Sequence, residues 1–182
     1  MTPKTRARIG LLLLLALFLA PFVAAWVLHA LDWRPAHTRN YGTLVEPPQD
    51  LSAARFVLAD GQPLQWKNAD WSWTAFVLPG PGCAEHCLAR IDELRRVRVS
   101  LNQSADRIRI VVLDAALAPE RLAALEPVEA ARDADARLVS FHATVNDDIA
   151  IALADPRGFL ALRYDAGYDA RELRKDLVRL VK

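Results

Sequence analysis

Residues 9–28 read Ile-Gly-Leu-Leu-Leu-Leu-Leu-Ala-Leu-Phe-Leu-Ala-Pro-Phe-Val-Ala-Ala-Trp-Val-Leu, with no charged side chain. No other feature of the chain narrows its fold as much. About 20 apolar residues rising ~1.5 Å each match the ~30 Å hydrocarbon core of a bilayer. Lipid offers no partner to a free amide, so a single segment crossing it must be helical. Pro21 is tolerable in such a helix, and Trp26 and Trp33 fall near its exit, where indole rings favour the interface.

Lys4, Arg6 and Arg8 precede the run and no acid does. The positive flank stays in the cytoplasm, so the remainder of the chain is expected outside it. Val23-Ala24-Ala25 loosely resembles a signal-peptide cleavage site, but the apolar run is longer than the usual signal core of about 7–15 residues, so an uncleaved anchor is the reading adopted. The expected division is a cytoplasmic N-terminus at 1–8, a transmembrane helix at 9–29, a tether at 30–50 and one soluble domain at 51–182. The domain faces the periplasm or an equivalent outer compartment. Charges nearly cancel, with a formal net charge of +1. No basic block offers a footprint for nucleic acid.

In the tether, Arg34-Pro35 and Glu46-Pro47-Pro48 break regular structure, Asn40-Tyr41-Gly42 reads as a turn, and the whole holds the domain off the bilayer. Residues 56–64 read as a strand, an Asp60-Gly61 turn and the start of a second strand. Residues 71–78 are aromatic and β-branched, which predicts a buried strand, ended by Pro79-Gly80-Pro81-Gly82. Cys83 then opens a helix whose apolar stripe is Cys87, Ile91, Leu94 and Leu101, with Val97 or Val99 between. Arg90, Arg95, Arg96 and Arg98 read as its solvated face. A strand at 107–113, a helix at 119–131 interrupted by Pro127 and a short strand at 136–141 follow. Residues 149–154 and 159–164 form a hairpin around Asp155-Pro156-Arg157-Gly158. Asp169 caps a last helix with Leu173, Leu177, Leu180 and Val181 inward. This order predicts an α/β, three-layer, thioredoxin-like sandwich with an extra N-terminal β-hairpin.

The chain has two cysteines, in Cys83-Ala84-Glu85-His86-Cys87. On a helix that spacing puts both sulfurs on one face, about one turn apart, which permits a disulfide or shared binding of a soft metal ion. At a helix N-terminus, unpaired amides favour the thiolate, which is both the nucleophile of disulfide exchange and a ligand for Cu(I). An inert disulfide stiffening the helix start is the plainer alternative. Asp147 and Asp148 read as loop polarity.

With the anchor, Phe56 to Gln62, the Cys-x-x-x-Cys loop, Ile110 to Asp114 and the hairpin from Ile151 to Leu160, the chain resembles the Sco family, thioredoxin-fold copper chaperones of cytochrome c oxidase assembly. The resemblance implies copper as a cofactor, held by Cys83, Cys87 and a distant histidine, and a respiratory oxidase subunit or its assembly factors as partners at the membrane. The histidine does not map: Asp147 stands where it is expected, and Leu88 replaces the proline that usually follows the second cysteine. The chain therefore looks like a divergent Sco-like relative. His142, five residues before Asp147, is the candidate replacement ligand. His86, inside the motif, is expected to point away from the sulfurs, His29 belongs to the membrane interface and His37 to the tether. Three functions stay open: copper handling in oxidase assembly, thiol–disulfide oxidoreduction by Cys83 and Cys87, and a non-catalytic assembly scaffold. Against the second, no proline between Pro127 and Pro156 can face the cysteines.

Overall fold

The structure, a computed structural model, describes residues 3–31, 33, 39–67 and 71–181. The Arg34-Pro35 break and His37 lie outside the described residues. Two compact units emerge, Met1–Arg39 and Asn40–Lys182. The first is the helix α1, Pro3–Ala30, with Pro21 inside it. Its stretch Arg8–Ala30, 23 residues of mean hydropathy 2.7, is long and apolar enough to cross a membrane.

The second unit is built on one seven-stranded sheet in the order β1-β7-β6-β3-β4-β5-β2. The strands are β1 Thr43–Asp50, β2 Phe56–Leu58, β3 Trp73–Pro79, β4 Ile108–Leu113, β5 Val128–Asp133, β6 Ile149–Ala154 and β7 Phe159–Tyr164. The helices α2 Glu85–Val99, α3 Pro119–Ala124 and α4 Ala170–Leu180 complete it. β3, β4 and β5 run parallel, whereas β6 is antiparallel to β3 and forms the expected hairpin with β7.

Side chains alternate across a strand, so β3 and β6 feed two cores. Ala75, Val77, Ile149, Ile151 and Leu153 pack with Cys87, Ile91 and Leu94 of α2 and Leu173 and Leu177 of α4. Phe76, Leu78 and the small Ala150, Ala152 and Ala154 face the other side, against Leu51, Phe56, Leu64, Trp66 and Leu138. Phe56, Trp66 and Phe76 form a ring cluster there, with centroids 4.7–5.5 Å apart. Burial on both faces accounts for the unbroken apolar runs of the central strands. Each large side chain so buried contributes roughly 1.5–3 kcal/mol. The sandwich is thioredoxin-like as expected, but its third layer is formed by the segment around residues 51–66 and a 3₁₀ turn, Val139–Phe141.

Several local readings change. Thr43–Asp50, counted with the tether, is an edge strand paired with β7, its register broken between Leu44 and Gln49 around Pro47 and Pro48. The Phe56 hairpin is present but short, a single bridge from Val57 to Pro63, and β2 pairs along its other edge with β5. The helix expected to reach residue 131 stops at Ala124, and Val128–Asp133 pairs in parallel with β4. Residues 136–141 supply the 3₁₀ turn rather than a strand. Leu101 lies beyond the end of α2, and Val97, not Val99, completes its buried face. Of the four arginines on α2, Arg95 and Arg96 pair with Asp92 at 2.7 Å. Arg90 instead lies 3.9 Å from the Tyr168 ring centroid and donates to the Tyr168 carbonyl, and Arg98 donates to the Ile108 carbonyl.

A buried carboxylate ties the start of this unit to its last helix. Asp176, 2% exposed, accepts hydrogen bonds from Tyr41 N (2.7 Å), Gly42 N (3.1 Å), Tyr164 Oη (2.6 Å) and Arg179 (3.0 Å). Burial, reinforced by Asp176, pushes the Tyr164 phenol far above its ordinary pKa, so it stays a donor.

Candidate functional site

The C-terminal end of β3 lies beside the first residue of β6, Pro79 pairing with Ile149. This register brings the cysteine loop, residues 80–84, against the loop that precedes β6. The two are laced together by their backbones. Gly80 N donates to Asp148 O, Asp147 N to Pro81 O (both 2.9 Å) and Ala143 N to Leu78 O (3.2 Å). Gly80 is required by this contact, since a Cβ there would drive into the backbone oxygen of Val145 and press on that of Ala143.

Cys83 and Cys87 are joined in a disulfide, Cα to Cα 5.2 Å. The helix begins two residues later than expected, so Cys83 sits in the loop before α2 and only Cys87 is helical. Cys87 is fully buried, while Cys83 is partly exposed. The helix residue at the N-cap is Ala84, which has no side-chain oxygen to offer. The missing cap comes from 63 residues away. Asp147 Oδ1 accepts from Ala84 N (2.6 Å) and Cys87 N (3.0 Å), and Oδ2 accepts from His86 N (3.1 Å). A carboxylate at a helix head satisfies orphan amides and meets the positive end of the dipole. Asp147 itself adopts a φ of 53°, a left-handed conformation that aspartate tolerates better than most residues.

Asp147 is thus a structural partner of the cysteine loop and not loop polarity. Asp148 is also corrected: it is buried, accepts from Ile149 N and faces Arg90 at 3.7 Å, one turn beyond Cys87. The His86 ring is engaged by the neighbouring loop, its Nδ1 bonding the Asp147 carbonyl at 2.9 Å. His142 bonds Pro79 O through Nδ1 (2.8 Å), which makes that nitrogen the protonated one, and its Nε2 lies 3.6 Å from Asp114. Among the described residues no three His, Cys, Asp or Glu side chains gather into a group that could hold a metal ion. With the sulfurs joined to each other and Asp147 engaged with amides, the donors in this form do not fit copper. The sequence signal that pointed here was the alignment that set Asp147 at the position of the histidine expected to face the cysteines; nothing local connects it to a helix head 60 residues earlier.

The Ala84, Cys87 and His86 amides hold the Asp147 carboxyl below its ordinary value of 3.8, the Ala84 bond most of all. A carboxyl depressed in the folded state contributes stability that is full above its unfolded pKa and is lost as pH falls through the folded one. The clamp is therefore expected to hold at pH 5 and to release only below about 3.8. In an amide NMR titration, Ala84, His86 and Cys87 should shift together in that acid window. Shifts centred near pH 6 would show that another group controls them.

The family model described as "Transmembrane-like, thioredoxin-like, C-terminal domain" matches residues 73–182. No curated protein sequence matches the chain. Among solved structures, apo Sco1 from Thermus thermophilus superposes with a TM-score of 0.54 at 14% identity, covering 80% of this chain and 99% of its own. Copper-bound ScoI from Arabidopsis thaliana gives 0.52 at 14% identity, covering 77% and 97%. BsSco, described as carrying a disulfide switch and as a member of the Sco family of cytochrome c oxidase assembly proteins, gives 0.50 at 15%, covering 81% and 98%. At these identities the likeness is one of fold.

Proposed function

Because this chain belongs to the transmembrane-like, thioredoxin-like C-terminal domain family, we propose that it is a membrane-anchored thiol–disulfide factor serving the assembly of a respiratory cytochrome c oxidase, with its domain on the outer side of the cytoplasmic membrane. The observation that carries the reading is the Cys83–Cys87 bond at the head of α2, with one sulfur partly exposed and the other buried. In exchange, a partner thiolate attacks Cys83 Sγ, a mixed disulfide forms and Cys87 leaves with the electron pair. A second partner thiol then attacks its own sulfur in the mixed bond and releases Cys83. The partner is oxidised by two electrons and the pair is reduced. The reverse sequence reduces a partner disulfide. The assignment to oxidase assembly rests on the motifs shared with Sco proteins and on their common fold.

The test is a trap. In full-length Cys87→Ser, the unpaired Cys83 should form a reductant-sensitive adduct with the oxidase subunit that carries cysteine copper ligands, visible on a non-reducing gel of membranes and absent in Cys83→Ser. No adduct, with full oxidase activity when both cysteines are serine, would end the reading. A Cu(I) titration of the reduced chain against a competing chelator separates the copper reading. Tight one-to-one binding lost in Cys83→Ser would make the pair a copper carrier, and loss in His142→Ala would make His142 its third ligand.

A further inference from the structure

A thiol pair at a helix head owes its reactivity to the free amides there, which stabilise sulfur anion as the disulfide opens. Here three of those N–H groups, of Ala84, His86 and Cys87, already point at the Asp147 carboxylate. The carboxylate cannot easily withdraw. Asp147 N is held by Pro81 O, its own carbonyl meets His86 Nδ1, and the next residue's carbonyl is held by Gly80 N. No lysine or arginine lies between Pro79 and Leu88, and Glu85 adds another acid to the first turn. Arg90, one turn on, is matched by Glu93 and Asp148. A sulfur anion released at this helix head would meet a fixed negative charge and amides that are already engaged.

We propose that Asp147 is a positioning residue that holds the Cys83–Cys87 pair in its oxidised form, by occupying with a carboxylate the helix-head amides that would otherwise stabilise the opening sulfurs. The consequence is directional. A pair whose reduced form is disfavoured gives up electrons readily, so the chain acts as a reductant of a partner disulfide: both Cys83 and Cys87 surrender an electron, their S–S bond closes, and the partner bond opens to two thiols. It must then be recharged by a membrane-side dithiol more reducing than itself. This inference rests on the exchange reading above and supplies its direction.

The experiment equilibrates the full-length chain in detergent with mixtures of reduced and oxidised dithiothreitol and counts thiols by alkylation mass. Asp147→Asn keeps an acceptor oxygen for the helix head but removes the charge, and Asp147→Ser offers a shorter neutral cap. Either folded variant should form dithiol with an equilibrium constant at least ~10-fold larger than the parent, or about 30 mV, while Asp147→Glu stays near the parent. Constants within twofold of the parent in both neutral variants would overturn the proposal, as would a failure of dithiothreitol to open any of them. A merely structural cap would lower the melting temperature of both redox forms without moving this constant. The adduct trap reads independently: a shifted constant without any adduct leaves the hold of Asp147 on the pair standing but removes the exchange reading and the direction drawn from it, and an adduct without a shift keeps the exchange reading and overturns the role of Asp147.

Discussion

Asp176→Ala is expected to cost about 3–5 kcal/mol, the size typical of removing one partner from a buried charged cluster. The Asp176 carboxylate is the shared acceptor for two backbone amides, the Tyr164 phenol and Arg179. Its loss leaves the buried Gly42 N and Tyr164 Oη without their acceptor, and each stranded buried group costs ~1–3 kcal/mol. Since small domains are stable by only about 5–15 kcal/mol, the variant should sit near its unfolding threshold. Urea denaturation of the domain would register this as a lowered midpoint at unchanged slope. The contacts also predict where the damage begins. Residues 40–42 lead into β1, so limited proteolysis should cut there first. A stability loss below about 1 kcal/mol, taken as slope times midpoint shift, would mean that solvent replaces Asp176.

The second large effect is expected at Gly80. Alanine there places its Cβ against the backbone oxygens of Val145 and Ala143, and neither belongs to a side chain that can rotate away. Overpacking of this kind costs about 1–3 kcal/mol. Its functional reach is longer, because the loop that must retreat carries Asp147. Gly80→Ala should therefore release Ala84 and Cys87 amides together, and make the disulfide more readily reduced than in the parent even though neither cysteine nor Asp147 is altered. Thiol counting in a dithiothreitol buffer and the amide shifts of Ala84 and Cys87 measure the two effects on one sample. A destabilised variant with unchanged amides and an unchanged thiol count would show that the two loops are not mechanically linked.

The strands and helices that rest on local pattern were legible. The β3 run, the Asp155-Pro156-Arg157-Gly158 turn and the Asp169 cap, whose carboxylate accepts from Arg171 N, all lie where the sequence puts them. What escaped were elements decided by distant partners. Thr43–Asp50 contains Pro47 and Pro48, which read as breakers, yet prolines are tolerated in a strand that pairs on one side only. Val128–Asp133 is half alanine and glutamate, helix-forming in isolation, and becomes a strand because β4 offers it a parallel ladder. Arg90 and Arg98 were read as solvated by their charge, although long side chains cover apolar surface with their stems and here find carbonyls as well. The cysteine pair was plain from spacing, and the Sco resemblance set Asp147 opposite it, but its role as a cap was not legible, because the amides it accepts from lie 60 residues away.

The two outer strands bear on how this chain meets others. A free sheet edge invites another strand to add to it. At one margin β1 presents Pro47 and Pro48, which have no N–H to offer, and a broken register. At the other, β2 is three residues long. Neither margin can be zipped onto a neighbour for any useful length. The sheet is thereby guarded against growing by strand addition from another chain.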